Sequence, residues 1–252
     1  MGEINDLVKK VQVLTIKRNS DRHDYVSEIL KSVNFEFYFG LDLTEIYPGI
    51  QTINEIPDNY FFEYNIDKKH VIPYTKGQLG AYTAIRNMIF DLADENSGAT
   101  LIFEDDLLPL KNNWISIFNK SLNELPNDWD ILLLGYLYDG KIYQLNYRRA
   151  YRFVSRFINY FKKMFGFKYI QVLPVKYSKH LDSAGVCTGG HAYCLSKNGA
   201  IKLKHYLSPM RESGDELIVK LITENKINAY SVYPCLFLQN SSFASKTRMK
   251  TV

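Results

Sequence analysis

The stretch ATLIFEDDLLPL, residues 99–110, decides the fold. Ala99 to Phe103 are apolar or β-branched and read as a buried strand, and Glu104, Asp105 and Asp106 stand at its carboxyl end. In an open α/β sheet the ligand crevice lies outside the carboxyl ends of the strands. Side chains alternate along extended backbone, so Glu104 and Asp106 should point to one side and Asp105 to the other. Three adjacent carboxylates repel unless a cation or strong hydrogen bonding compensates them. A hard divalent ion with open positions for phosphate oxygens suits such a cluster, and helix capping is the plainer use of the same residues.

Working outward, alternating strand and helix patterns surround this stretch. VQVLTI (11–16) reads as a strand, Tyr25 to Val33 repeat at helical spacing, and NFEFYFGL (34–41) returns to alternation. Residues 42–75 are irregular and hold Pro48, Pro57 and Pro73. Thr75 should cap a helix through a capping box with Gln78. Trp114 to Leu122 reads as a helix and WDILLLG (129–135) as a central strand. After Gly189 come a strand, HAYCLS, two helices at 199–207 and 215–223, and a long extended segment at 227–238. The pattern predicts a Rossmann-like α/β/α sandwich with a mainly parallel sheet, one domain over 1–252, and an insertion at about 141–180.

Composition narrows the function. A formal charge of +4 over 252 residues gives no reason to expect nucleic acid as a partner. Cys187, Cys194 and Cys235 are odd in number and lack paired spacing, which predicts free thiols in a reducing, cytoplasmic setting. Neither a signal peptide nor an 18-residue apolar span is read in the sequence. The loop after the first strand has no glycine-rich phosphate motif and carries Lys17, Arg18 and Arg22 instead. His191 reads as a structural hydrogen-bonding residue, and the other histidines have no metal spacing. Gly189 and Gly190 read as close backbone approach beneath a sugar or nucleotide. Lys76 gains nothing from its helix start, which favours a ligand contact.

Residues 148–179 carry nine Lys or Arg and no Asp or Glu. On a helix, Arg149, Arg152, Arg156 and Lys163 share one face, while Ala150, Phe153, Val154, Phe157, Ile158, Phe161 and Phe165 occupy the other. Such a segment either lies in an anionic membrane interface, through 148–165, or packs its aromatic face on the core.

Four segments occur in a shared order: LTIKRNSDR (14–22), TKGQLGAYTAIRNMI (75–89), ATLIFEDDLLPL (99–110) and CTGGHAYCLSKNGAIKLKHYL (187–207), followed by Asp215. With them the chain resembles the bacterial lipopolysaccharide and lipooligosaccharide glycosyltransferases of family 25, which include collagen galactosyltransferase domains. The resemblance implies a glycosyltransferase-A type fold and a nucleotide-sugar donor, UDP-galactose. It also implies transfer with inversion onto a growing surface glycan; the membrane-interface reading of 148–165 adds a lipid-linked glycan acceptor and a peripheral place on the inner membrane. It places a Mn²⁺ or Mg²⁺ ion on Glu104, Asp105 and Asp106, with Asp106 foremost, and donor contacts on Arg18, Arg22, Lys76, Gly189 and Gly190. Asp215 is implied as the base, with Glu212 and Asp182 as its alternatives. The chain departs from the family pattern at Gln78 (Glu), Ala81 (Cys), Ala84 and Ile85 (Ser-His) and Gly190 (Thr). Those departures keep open an inactive relative that binds nucleotide sugar or glycan. An unrelated metal-dependent hydrolase is disfavoured by the lack of a nucleophile loop after any early strand.

Overall fold

The computed structural model describes residues 3–72, 74–95, 98–137 and 174–243, with Phe157, Tyr160, Phe161 and Met164. The expectations for Arg149, Arg152, Arg156 and Lys163, and for the rest of 138–173 apart from those four residues, fall outside this set.

One mixed sheet runs through the molecule. Strand β1 (Val8–Thr15) lies between β2 (Glu36–Phe39) and β3 (Ala99–Glu104), parallel to both. β3 then pairs with β8 (Thr188–Leu195), which runs antiparallel to it and also to β5 (Ile131–Leu137). Beyond β5 come β9 (Ala229–Val232), parallel, then β7 (Leu181–Ser183) and β6 (Val175–Lys176), both joined antiparallel. β10 (Phe237–Gln239) pairs with β4 (Leu107–Pro109) and touches β5 at Gly135. The parallel order expected from the sequence therefore holds for β2-β1-β3 and β5-β9, while β8 reverses direction between them.

Helices cover both faces, so the three-layer sandwich read from the sequence is present. Leu14 and Ile102 face one side, packed with α5 (Lys76–Asp94), α7 (Lys197–Tyr206) and α8 (Gly214–Thr223). Val13, Leu101 and Phe103 face the other, against α1 (Ser20–Ile29) and α6 (Trp114–Asn123). Alternate side chains of β1 and β3 thus feed opposite cores, as a pleated strand buried on both faces must. Thr75 and Gln78 form the expected capping box, which starts α5 where the sequence places it. The irregular stretch contains three short helices, α2 (Leu43–Ile46), α3 (Asp58–Glu63) and α4 (Lys68–Val71), that dock Leu43, Tyr60, Phe61 and Val71 into the α5 side. The long extended segment at 227–238 is split into β9 and β10 around Pro234, which has no N–H for a ladder. All three cysteines are buried and free. Among the described residues no helix is long and apolar enough to cross a membrane.

Candidate functional site

Direction explains where the site lies. Parallel β1 and β3 end at Thr15 and Glu104, and antiparallel β8 begins at the same edge, with Ala192 opposite Phe103. Backbone from both ends of the sequence therefore meets at the acidic motif.

Glu104 is the last residue of β3, whereas Asp105 and Asp106, expected to continue the strand's alternation, form the turn into β4. Asp105 turns inward and is fully engaged: its Oδ2 accepts from Thr15 Oγ1 at 2.6 Å and from Asn19 Nδ2 at 2.9 Å. Its Oδ1 meets the Arg22 guanidinium at 2.6 Å. Thr15 Oγ1 is in turn 3.0 Å from His23 Nε2, and Arg22 lies 5.1 Å from the Phe243 ring centroid. Arg22 and Asn19 belong to the start of α1, where a carboxylate is favoured by the helix dipole as well. Asp105 is thus an anchor between β3 and α1.

Glu104 and Asp106 are half-buried at this strand end. Asp106 Oδ1 is buried without a hydrogen-bond partner, although its backbone carbonyl accepts from Asn240 N at 2.6 Å. Burial, followed by the Asp105 charge, pushes the Asp106 carboxyl up to about 6. Glu104 is raised well above its ordinary value by burial and then by the charges of Asp106, Asp215 and Asp105, while Gln239 opposes the shift. Gln239 Nε2 donates to Glu104 Oε2 at 3.3 Å.

Asp215 reaches the same strand end from the first turn of α8. Its helix is started by the capping box of Ser213 and Glu216, and its Oδ1 accepts from Gly190 N at 3.1 Å. A Cβ at position 190 would sit 2.7 Å from that oxygen, so glycine there makes room for Asp215 itself. Tyr82 and Tyr193 lie near Asp215. Burial and then Asp215 raise Tyr193, and burial and then Asp215 push Tyr82 up to about 12, with a Ser213 hydrogen bond opposing. Ile85 lies one turn beyond Tyr82 and faces Gly214.

Other sequence candidates fall elsewhere. Arg18 pairs with Asp42 at 2.8 Å, with its side chain 39% exposed. Lys76 Nζ donates to the carbonyls of Tyr47 at 2.9 Å and Ile50 at 2.5 Å, tying that loop to α5. Gly189 precedes Gly190 in β8. Glu212 is held by Lys220, and Asp182 is buried in β7 opposite Ser231. His191 is buried with Nε2 3.3 Å from Phe237 O, and Gly135 leaves room for its ring. Tyr82, Tyr193 and Gln239 were missed because nothing local marks them. Only tertiary folding brings Gln239, 135 positions away, to Glu104.

A cluster of acids at the strand ends of an α/β/α sandwich is shared by many enzymes, so the comparison with known families decides. The family profile described as glycosyltransferase family 25 (LPS biosynthesis protein) matches residues 8–218. The chain belongs to glycosyltransferase family 25. The match takes in β1, the acidic motif, β8 and Asp215, and it makes the protein a glycosyltransferase of lipopolysaccharide biosynthesis. Such an enzyme takes a nucleotide-sugar donor and a glycan acceptor. Comparison with curated proteins gives no match.

Proposed function

We propose that this glycosyltransferase moves a hexose, galactose from UDP-galactose, onto a lipopolysaccharide or lipooligosaccharide glycan with inversion, on a glycosyltransferase-A type scaffold. The observation that carries the reading is the approach of Asp106 and Asp215 to Glu104, whose carboxyl both of them raise, with Asp106 Oδ1 buried and unpartnered.

That orphaned oxygen fits a hard cation, for which Asp106 and Glu104 are the protein ligands and Asp105 the support that holds the turn. Among the described residues no three His, Cys, Asp or Glu side chains form a complete metal cage, and two carboxylates plus substrate oxygens is how Mg²⁺ is usually held. When bound, Mn²⁺ or Mg²⁺ neutralises charge developing on the diphosphate leaving group.

Asp215 acts as the general base. It takes the proton of the acceptor hydroxyl as that oxygen bonds to the anomeric carbon and the bond from that carbon to the diphosphate breaks. The Gly190 N–H and the α8 capping box hold the carboxylate in place for this step. Arg18, the most exposed of the three implied cations, is the direct candidate for a donor phosphate. Arg22 works through Asp105, Lys76 works by fixing the 47–50 loop, and Gly189 flanks the sugar path beside Gly190.

A panel of nucleotide sugars with Mn²⁺ or Mg²⁺ tests the reading. Release of UDP from UDP-galactose, stimulated by the metal, supports it. Binding without turnover identifies an inactive relative, the reading favoured by Ile85 against Gly214, and indifference to every donor overturns both.

A further inference from the structure

Phe157, Tyr160, Phe161 and Met164 all lie in helical conformation. Their spacing of three, four and seven positions puts them on one face of an α-helix. They are 53%, 67%, 50% and 56% exposed. Large apolar side chains exposed singly, as at Leu7, Phe62 and Ile201, are ordinary on any protein surface. Four exposed at the spacing of one helical stripe, with the Tyr160 and Phe161 rings 5.9 Å apart, mark an interaction surface.

Charge identifies the occupant. The sequence around the stripe, 148–179, contributes nine positive charges and no negative one. Because the whole chain has a formal charge of +4, the remainder carries 4 − 9 = −5. Positive charge is therefore concentrated in the segment that also exposes the apolar stripe. Phenylalanine and methionine beside tyrosine, flanked by lysine and arginine, match the layers of an anionic bilayer surface: acyl boundary, interface and headgroup. The sheet supplies a second argument. The segment leaves β5 at Leu137, which pairs with Thr188 two residues before Gly190, so it is rooted at the edge that carries Asp215.

We propose that the stripe Phe157–Tyr160–Phe161–Met164 docks the enzyme on an anionic phospholipid bilayer, lying in the interface without crossing it. This goes beyond the proposed transfer reaction and does not depend on which donor the cleft takes.

The test is co-sedimentation of the full chain with vesicles of phosphatidylcholine containing roughly a quarter phosphatidylglycerol, at about 0.15 M salt. The wild type should sediment with these vesicles and stay in solution with pure phosphatidylcholine. The double variant Phe157→Ser/Phe161→Ser, and separately Tyr160→Ser/Met164→Ser, should lower the partition coefficient by about tenfold or more, since each removes two large apolar groups from the interface. Unchanged thermal melting and unchanged UDP-galactose turnover would show that fold and cleft are intact. The proposal is overturned if the wild type remains in the supernatant with anionic vesicles, if both variants sediment as the wild type does, or if neutral vesicles bind equally well. Absent donor turnover in the wild type counts against the transfer reading alone, because sedimentation reads the bilayer directly.

Discussion

Asp105 and Asp106 are adjacent and chemically identical, yet they occupy opposite electrostatic regimes. Asp105 accepts from Thr15, Asn19 and Arg22, so both its oxygens are satisfied within the fold. Asp106 keeps a buried oxygen with no partner and sits in the repulsive field of its neighbours. A one-residue step through the turn between β3 and β4 separates a structural carboxylate from one with an unsatisfied oxygen. The site is thus built on a satisfied anchor and carries its unsatisfied groups alongside, as sites that trade stability for function commonly do.

Substitutions should separate the two regimes. The largest expected effect is Asp106→Asn, which should lower metal-dependent donor turnover by about 10³-fold while leaving the melting temperature equal or higher, since it removes an uncompensated charge. Steady-state kinetics alongside thermal melting checks both halves, and a stability loss without a kinetic loss would erase the contrast. Asp105→Ala should do the reverse. Breaking a buried pair strands the Arg22 cation, at a cost of roughly 3–5 kcal/mol in denaturant unfolding.

Asp215→Asn comes next, with turnover lower by about 10² and donor affinity near its original value. A variant that keeps most of its turnover would move the base role away from α8. A pH series sharpens the contrast further. Glu104 and Asp106 are raised in the folded state, so the folded protein holds protons that the unfolded chain has released. For Asp106 the stabilising effect is complete below about pH 4 and is lost as pH rises through about 6. The melting temperature of Asp106→Asn relative to wild type should therefore climb by on the order of a few degrees across that window. A flat difference would mean that Asp106 is already compensated. The smallest effect is expected for Lys76→Met, whose ammonium is committed to Tyr47 O and Ile50 O. Donor KM should change by no more than about threefold, against the ten- to hundredfold typical of losing a charged ligand contact.

Legibility followed the range of the interactions involved. The buried strand at 99–104 and the capping box of Thr75 and Gln78 follow from local periodicity and side-chain chemistry. The reversed direction of β8 does not, because a buried strand has the same apolar signature whichever way it runs. The part played by Arg22 was half visible. Its charge stood out in a loop expected to meet phosphate, but Asp105 lies 83 positions away and no spacing rule connects them. Gly190 was read as a floor for substrate, whereas its missing Cβ makes space for the Asp215 carboxylate. The relation of Tyr82 to Asp215 exists only after α5 and α8 pack together.

Sheet pairing resumes firmly on either side of 138–173, with Leu137 opposite Thr188 and Val175 opposite Ser183. The register of the sheet is thus fixed independently of how many residues join those two points, and loop-closure entropy rises only slowly with length. The sheet therefore makes little demand on the sequence or length of the span between them. If that span docks the protein as proposed, exchanging it is a route to redirect the enzyme to a different surface while Glu104, Asp106 and Asp215 stay as they are.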